Sequence, residues 1–407
     1  MNCRHCANPL RRTFLDLGFA PPSNAYLTAD DLNKPEKYYP LRVKVCDQCW
    51  LVQTEDYAQA DELFHAEYAY FSSTSTSWLA HAKEFTEQVA ARFGIDRDCF
   101  VIEIASNDGY LLKNFVERGI PCLGIEPTAS TAEAAEKLGI EVKRAFFGKT
   151  LAEQLAVEGK QADLIIGNNV YAHVPDINDF TRGLAAALKP NGIISLEFPH
   201  LMQLIEHTQF DTVYHEHFSY LSLWAVKSIF TAAKLRVWDV EELTTHGGSL
   251  RVYGCHVGAN RAATDRVSAM LAREDESGLK KLTTFANFQT KADKVKDDLL
   301  AWLIQQKREG HQVAAYGAAA KGNTLLNYAG IKPDLLPYVC DAASSKQGRY
   351  LPGSHIPILS PEVLRADPPN VLLVLPWNLI SEVRGELSDI AGRRLRFATA
   401  VPELRVC

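Results

Sequence analysis

The sequence predicts an α/β protein in three parts: a small cysteine-bound N-terminal unit, a central doubly wound sheet, and a smaller C-terminal α/β unit. Three observations predict it. Two C-x-x-C pairs, Cys3/Cys6 in "CRHC" and Cys46/Cys49 in "CDQC", stand near the start of the chain. Apolar strand-like runs alternate with helix-like spacing from Phe100 to Pro199, the signature of a mostly parallel sheet. A second alternation begins at Val313, after a stretch without turn signals until Gly310. The expected boundaries are 1–75 for the cysteine unit, 76–260 for the central sheet, 261–309 for a helical connection and 310–407 for the last unit.

A C-x-x-C pair presents two thiolates to one metal, and two pairs close a tetrahedral site. Zinc is the expected ion, with rubredoxin-like iron as the chemical rival because it takes the same ligands. Four thiolates leave no open position, so Cys3, Cys6, Cys46 and Cys49 read as a structural site. The other five cysteines are scattered, mostly in apolar strands, and read as small core residues.

The central strands are expected at Phe100–Ala105, Cys122–Pro127, Val142–Phe147, Ala162–Asn169 and Gly192–Pro199, with Ser249–Val257 as a late strand on an antiparallel edge. Helices are expected at Asp108–Arg118, Ser130–Leu138 and Asn178–Leu188, and one or two more between Ala262 and Glu309. In the last unit, strands are expected at Val313–Ala319, Leu336–Ala342, Asn370–Trp377 and Arg394–Thr399.

Composition narrows the function classes. A net charge of −6 argues against a nucleic-acid partner, since phosphate contacts need an excess of Lys and Arg on one face. The longest apolar runs, such as "VLLVLPW", are too short to span a bilayer. "MNCRHCANPL" lacks the blocks of a signal peptide, so the protein is expected in the cytoplasm, without a membrane partner.

In an open α/β sheet the ligand lies beyond the carboxyl ends of the strands, at the switch point. The first strand end carries Glu103, Ser106, Asn107, Asp108 and Gly109, the second Glu126 and Pro127, and the fourth Asn168 and Asn169. A carboxylate such as Glu126 at the second strand end commonly holds ribose hydroxyls. Ala105 and Asn107 replace the usual glycines of a dinucleotide turn. A nucleoside without phosphates therefore fits better, and S-adenosylmethionine is one.

"TVYHEHFSY" (212–220) concentrates two tyrosines, two histidines and a glutamate. By itself it reads as packed polar core, as an acid–base site, or as a metal pair in which His215 and His217 are completed by Glu216, His173 or His246. His65, His200 and His355 read as surface or capping groups.

The C-x-x-C pairs, "EIASNDGYLL", "IEP", "YHEHFSY", "HGGSLRVY" and "YGAAAKGNTLLNY" stand in the same order as in the C-methyltransferases of deoxysugar biosynthesis. The chain resembles that family along essentially its whole length. The resemblance implies a zinc-binding domain, a class I methyltransferase sheet and a smaller Rossmann-like domain. It implies S-adenosylmethionine as donor and structural Zn2+. It also implies a nucleotide-linked 4-keto-6-deoxysugar as substrate, methylated beside its ketone, usually on carbon 3 and in some relatives on carbon 5. His217 matches the family's base. Tyr214 and Glu216 match its sugar contacts. Asn169, His173 and Tyr70 match further active-site positions. His246 is a candidate neighbour of the substrate. Lys321, at a small-residue turn before a helix, is a candidate for the substrate's diphosphate, against a reading of that turn as tight packing alone. Asp341 is read as either a nucleotide contact or a helix cap. A monomer is expected. The rival readings are an O- or N-methyltransferase of small molecules, and a non-catalytic zinc-ribbon binding protein.

Overall fold

A computed structural model describes residues 1–57, 71–391 and 395–407. Tyr70 and His65 lie outside the described residues. Three sheets organise the chain.

The first is antiparallel, in the order β1 (Arg12–Ala20), β2 (Tyr39–Val45), β3 (Val52–Thr54) and β9 (Ser219–Tyr220). In β2 every second residue from Leu41 to Val45 is buried, the period of a half-covered strand. The cysteine knuckles sit just before β1 and between β2 and β3. β9 comes from distant sequence: Val52 pairs with Tyr220 and Gln53 with Ser219. The end of the "YHEHFSY" run therefore completes the N-terminal sheet.

The second sheet has seven strands, in the order β10 (Leu235–Leu243), β11 (Ser249–His256), β8 (Leu188–Pro199), β7 (Ala162–Asn168), β4 (Val101–Ile104), β5 (Cys122–Ile125) and β6 (Glu141–Lys143). Its central strands are buried throughout, with β4 reading as four consecutive buried residues, as a sheet covered on both faces requires. The order reverses between β4 and β7, which makes their carboxyl ends the switch point. Helices α1 (Thr76–Phe93), α2 (Lys113–Val116), α3 (Ala129–Lys137), α4 (Lys149–Val157), α5 (Ile177–Ala187), α6 (Leu201–Glu206) and α7 (Leu223–Ala232) accompany these strands.

Several expectations need correction. Ser249–His256 is antiparallel but interior, held between β8 and β10. The edge on that side is β10, whose run ends in the adjacent acidic residues Glu241 and Glu242. The third strand covers only Glu141–Lys143, and the first crossover helix shrinks to Lys113–Val116 because residues 107–112 form turns.

The connection holds three helices, α8 (Asp265–Glu276), α9 (Leu282–Ala286) and α10 (Phe288–Arg308). Phe14 of β1 stacks on Phe288 at 4.6 Å and meets Phe285 edge-on at 5.5 Å, so this connection packs on the N-terminal sheet. The third sheet runs β14 (Ile358–Leu359), β13 (Val339–Cys340), β12 (Val313–Tyr316), β15 (Val371–Val374), β16 (Arg396–Thr399) and β17 (Arg405–Val406). It is parallel except for β17. Its helices are α11 (Ala320–Ala329), α12 (Glu362–Ala366) and α13 (Ile380–Glu386).

Candidate active site

A 3-10 turn over Phe210–Thr212 leads into "TVYHEHFSY", which makes a tight turn closed by His217 N–H to the Tyr214 carbonyl at 3.0 Å and then β9. The turn places alternate side chains on opposite sides. His215 is buried against Tyr39, 5.9 Å between ring centroids. His217 faces the other way, with its ring 4.0 Å from Tyr214 and 4.6 Å from His173. The two histidines of H-x-H therefore do not share a site, which removes them as a metal pair. Among the described residues, the metal-type cluster of thiols, imidazoles and carboxylates is the four cysteines.

The two clustered imidazoles are oriented by carbonyl oxygens. His217 Nδ1 lies 2.9 Å from the Thr212 carbonyl, and His173 Nδ1 lies 2.8 Å from the Glu216 carbonyl. A carbonyl only accepts, so each Nδ1 carries the hydrogen and each neutral ring keeps its lone pair on Nε2. Burial pushes His217 well below the usual histidine range, reinforced by His173 nearby. Burial lowers His173 to about 4. Both are neutral near pH 7, the form in which an imidazole takes a proton.

Glu216 points elsewhere: its Oε1 accepts from Asn24 Nδ2 at 3.2 Å, and Oε2 has no protein partner. Burial raises its pKa. Asn169 adopts φ +53° and His246 φ +55°, left-handed conformations that non-glycine residues adopt at a cost. Their side chains meet, Nδ2 to Nε2, at 2.9 Å. Burial lowers His246 to about 4, with the charge of Lys321 contributing. Lys321 thus lies within electrostatic reach of this cluster, where it donates to Asn378 Oδ1 at 2.8 Å. Asp341 accepts from the N–H groups of Ala318 and Ala343 at 2.7 and 2.8 Å, so its carboxylate caps its own turn.

The structure adds residues that sequence reading did not single out. Glu197 at the end of β8 holds His81 at 3.0 Å, Arg251 at 2.8 Å and Thr245 at 3.0 Å. Burial alone would raise Glu197, but the hydrogen bond from His81 and the charge of Arg251 hold it at about 2. A carboxylate at a strand's carboxyl end was the available signal. His200 is buried rather than exposed, 2.8 Å from Glu274. The Glu274 carboxylate also accepts the first N–H groups of α7, from Leu223 and Trp224.

Residues 3–64 match the family described as "Putative zinc binding domain", and residues 78–240 match "Methyltransferase domain". Residues 244–402 match "C-methyltransferase C-terminal domain". A ubiquinone biosynthesis O-methyltransferase of Chelativorans sp. (strain BNC1) is 30% identical over 117 residues, 26% of this chain and 46% of that protein. A solved S-adenosylmethionine-dependent methyltransferase from Anabaena variabilis ATCC 29413 has 16% identity and a TM-score of 0.36, covering 44% of this chain and 86% of that one. C-methyltransferase NovU of Streptomyces niveus is 32% identical over 404 residues, 99% of this chain and 96% of that protein.

The chain belongs to the C-methyltransferase family. It is an S-adenosylmethionine-dependent enzyme, and its switch point fits that donor. At the carboxyl ends of β4 and β7, Glu103 Oε2, Ser106 Oγ, Asp108 Oδ1 and both amide atoms of Asn168 are buried with no protein partner. Burial, with the negative charges of Asp108 and Glu126, pushes Glu103 well above the carboxylate range. Three clustered carboxylates suit a ligand carrying a sulfonium and an ammonium group. Glu126 accepts the Asn107 and Thr128 N–H groups at 3.0 and 2.8 Å, and its oxygens keep further lone pairs for hydroxyls. Pro127 follows at the loop's edge, half-buried. Asn107 and Asp108 also accept the backbone N–H groups of Ser72 and Ser73, at 2.9 and 3.0 Å. Gly109 has a different origin: its backbone is left-handed at φ +78°, and a Cβ would lie 3.2 Å from Ala135 of α3, so the turn and the helix beside it favour glycine.

The C-methyltransferase's zinc-binding domain has a fitting donor set. The sulfurs of Cys3, Cys6, Cys46 and Cys49 lie within 4.8 Å of one another, with Cys3–Cys49 and Cys6–Cys46 both at 3.5 Å. Zn–S bonds of ~2.3 Å in a tetrahedron give sulfur separations of about 3.8 Å, near what is seen.

Proposed function

We propose that this C-methyltransferase methylates the carbon beside the ketone, at carbon 3, of a nucleotide-linked 4-keto-6-deoxyhexose. The observation that carries the reading is the neutral, buried His217, its Nδ1 committed to the Thr212 carbonyl and its Nε2 lone pair left for a proton. Methylation at carbon needs a carbanion equivalent, and a ketone makes the adjacent C–H acidic enough for such a base. Resemblance to the deoxysugar enzymes along the chain supports the substrate class.

His217 removes the proton from the substrate carbon. Tyr214, its ring tilted against that of His217 at 4.0 Å, limits the ring's freedom and sits at the sugar. Glu216, steadied by Asn24, accepts from a sugar hydroxyl. Asn169 and His173 stand where acceptor and donor meet. Glu103, Ser106, Asn107, Asp108, Glu126, Pro127 and Asn168 surround the donor, with Gly109 shaping the loop. Bound S-adenosylmethionine supplies the electrophilic methyl group, whose bonding pair stays on sulfur as the carbon takes it.

The test is incubation with methyl-labelled donor and a panel of thymidine, guanosine and cytidine diphosphate 4-keto sugars, with NMR location of the label. The expected product carries the label on carbon 3. A label on oxygen or nitrogen, or turnover confined to substrates without a ketone, contradicts the proposal.

A further inference from the structure

In sequence, Lys321 is a candidate for the substrate's diphosphate, against tight packing alone, yet its neighbours are those of a sugar site. Thr324, one turn further along α11, donates Oγ1 to the Val213 carbonyl at 2.9 Å. Residues three apart share a helix face, so Lys321 faces the segment that leads into His217. Its ammonium lies 4.9 Å from the centre of the Trp377 ring. The Trp377 indole donates to the buried Asp211 carboxylate at 2.8 Å. The same ring covers Gly247, where a Cβ would come within 2.3 Å of it, and Gly247 follows His246, the partner of Asn169. Through the Trp377 ring, Lys321 shares its surroundings with Asp211 and with Gly247, the neighbour of His246. Its charge also lowers both His217 and His246. The Asp211 carboxylate, whose Oδ1 has no protein partner, balances the charge of a lysine held in a buried cleft.

We propose that Lys321 holds the enolate oxygen of the substrate. The inference rests on the keto-sugar reading given above. His217 Nε2 takes the proton from the carbon beside the ketone. The C–H bonding pair becomes the C=C π bond, and the carbonyl π pair moves onto oxygen. That oxygen, now carrying one negative charge, lies opposite the Lys321 ammonium. Lys321 keeps its proton, and no further reactant is needed for the step. A preorganised charge at this position acts on the transition state rather than on ground-state binding.

The test compares wild type, Lys321→Met and Lys321→Arg, each shown to be folded by circular dichroism and by unchanged S-adenosylmethionine affinity. Exchange of the substrate's carbon-bound proton with deuterated water is followed by NMR at saturating keto sugar, with S-adenosylhomocysteine bound. Binding of the matching nucleoside diphosphate alone is titrated in parallel. Lys321→Met is expected to slow exchange by about 10²–10³-fold, the range for removing one oxyanion donor, with nucleoside diphosphate affinity unchanged. Lys321→Arg is expected to recover part of the exchange. Wild-type exchange in the Met variant, with weakened nucleoside diphosphate binding, would overturn the inference and return Lys321 to the diphosphate. A wild-type enzyme that exchanges no proton in any nucleotide 4-keto sugar would overturn the substrate reading, and this inference with it.

Discussion

His217 is held by contacts to backbone and rings rather than by a carboxylate. The Thr212 carbonyl fixes its tautomer, and Tyr214 and His173 flank its ring. The consequence is a pH signature. A histidine whose pKa is lowered by burial stays neutral as pH falls through the ordinary value of about 6.5. Proton exchange at the substrate carbon should therefore be flat from pH 8 to 6.5 and decline only in more acidic solution. A half-maximal point at or above pH 6.5 in the exchange profile would show that burial does not govern this group. The residue-scale chemistry of the "YHEHFSY" run was partly legible: its polar crowding marks a site. The family resemblance pointed to His217, but the residues alone left the choice between His215 and His217 open, because a tight turn, and not strand alternation, sets their directions. Asp211, Trp377 and Asn24 were hidden for a different reason. Each belongs to a separate stretch of chain, and only tertiary packing brings them near Lys321 or Glu216.

At the scale of elements, the loop after β4 shows how packing and ligand demands combine. Glu126 ties the Asn107 N–H to the end of β5, Ser72 and Ser73 clamp Asn107 and Asp108 from outside, and Gly109 lets α3 approach. Gly109→Ala would combine a left-handed backbone with a contact of 3.2 Å to Ala135 of α3, while the tip of the Ile140 side chain, at 2.4 Å, can swing away. The expected loss is about 1–3 kcal/mol for the overpacking alone, plus the strain of a positive φ. Urea denaturation checks it: the midpoint should fall while the slope stays constant. An unchanged midpoint would mean that α3 moves aside freely. The central strands were readable because both faces are buried and their apolar runs are continuous. β10 was missed because its second half, Glu241 and Glu242, carries charges that pair with Arg92 and Arg273 at the sheet's edge. β9 was invisible, since a two-residue strand pairing across more than 160 positions leaves no periodic trace.

The whole molecule joins the three sheets around one cluster. The N-terminal sheet reaches it through β9. Thr54 Oγ1 donates to the His217 carbonyl at 3.2 Å, and the buried Arg4 side chain, between the first two cysteines, donates to the carbonyls of Phe218 and Thr54. The third sheet reaches it through α11, where Thr324 holds Val213. The zinc-binding domain is therefore predicted to affect catalysis as well as stability. Cys46→Ser, or metal removal by a chelator, should lower the melting temperature, because metal binding contributes folding free energy. It should also lower methyl transfer more than S-adenosylmethionine affinity, since the donor loop is built by the central sheet. Full methyl transfer in metal-free protein would show that β9 keeps its place without the zinc-binding domain's order. The role of His217 as the base of a carbon acid has a more direct test. His217→Asn should bind S-adenosylmethionine with wild-type affinity in calorimetry. With S-adenosylhomocysteine bound, it should exchange the substrate's carbon-bound proton with deuterated water at least 10²-fold more slowly, within the ~10²–10⁴ range of general acid–base catalysis. Exchange at the wild-type rate in that variant would contradict the claim and make Tyr214 the base to test next.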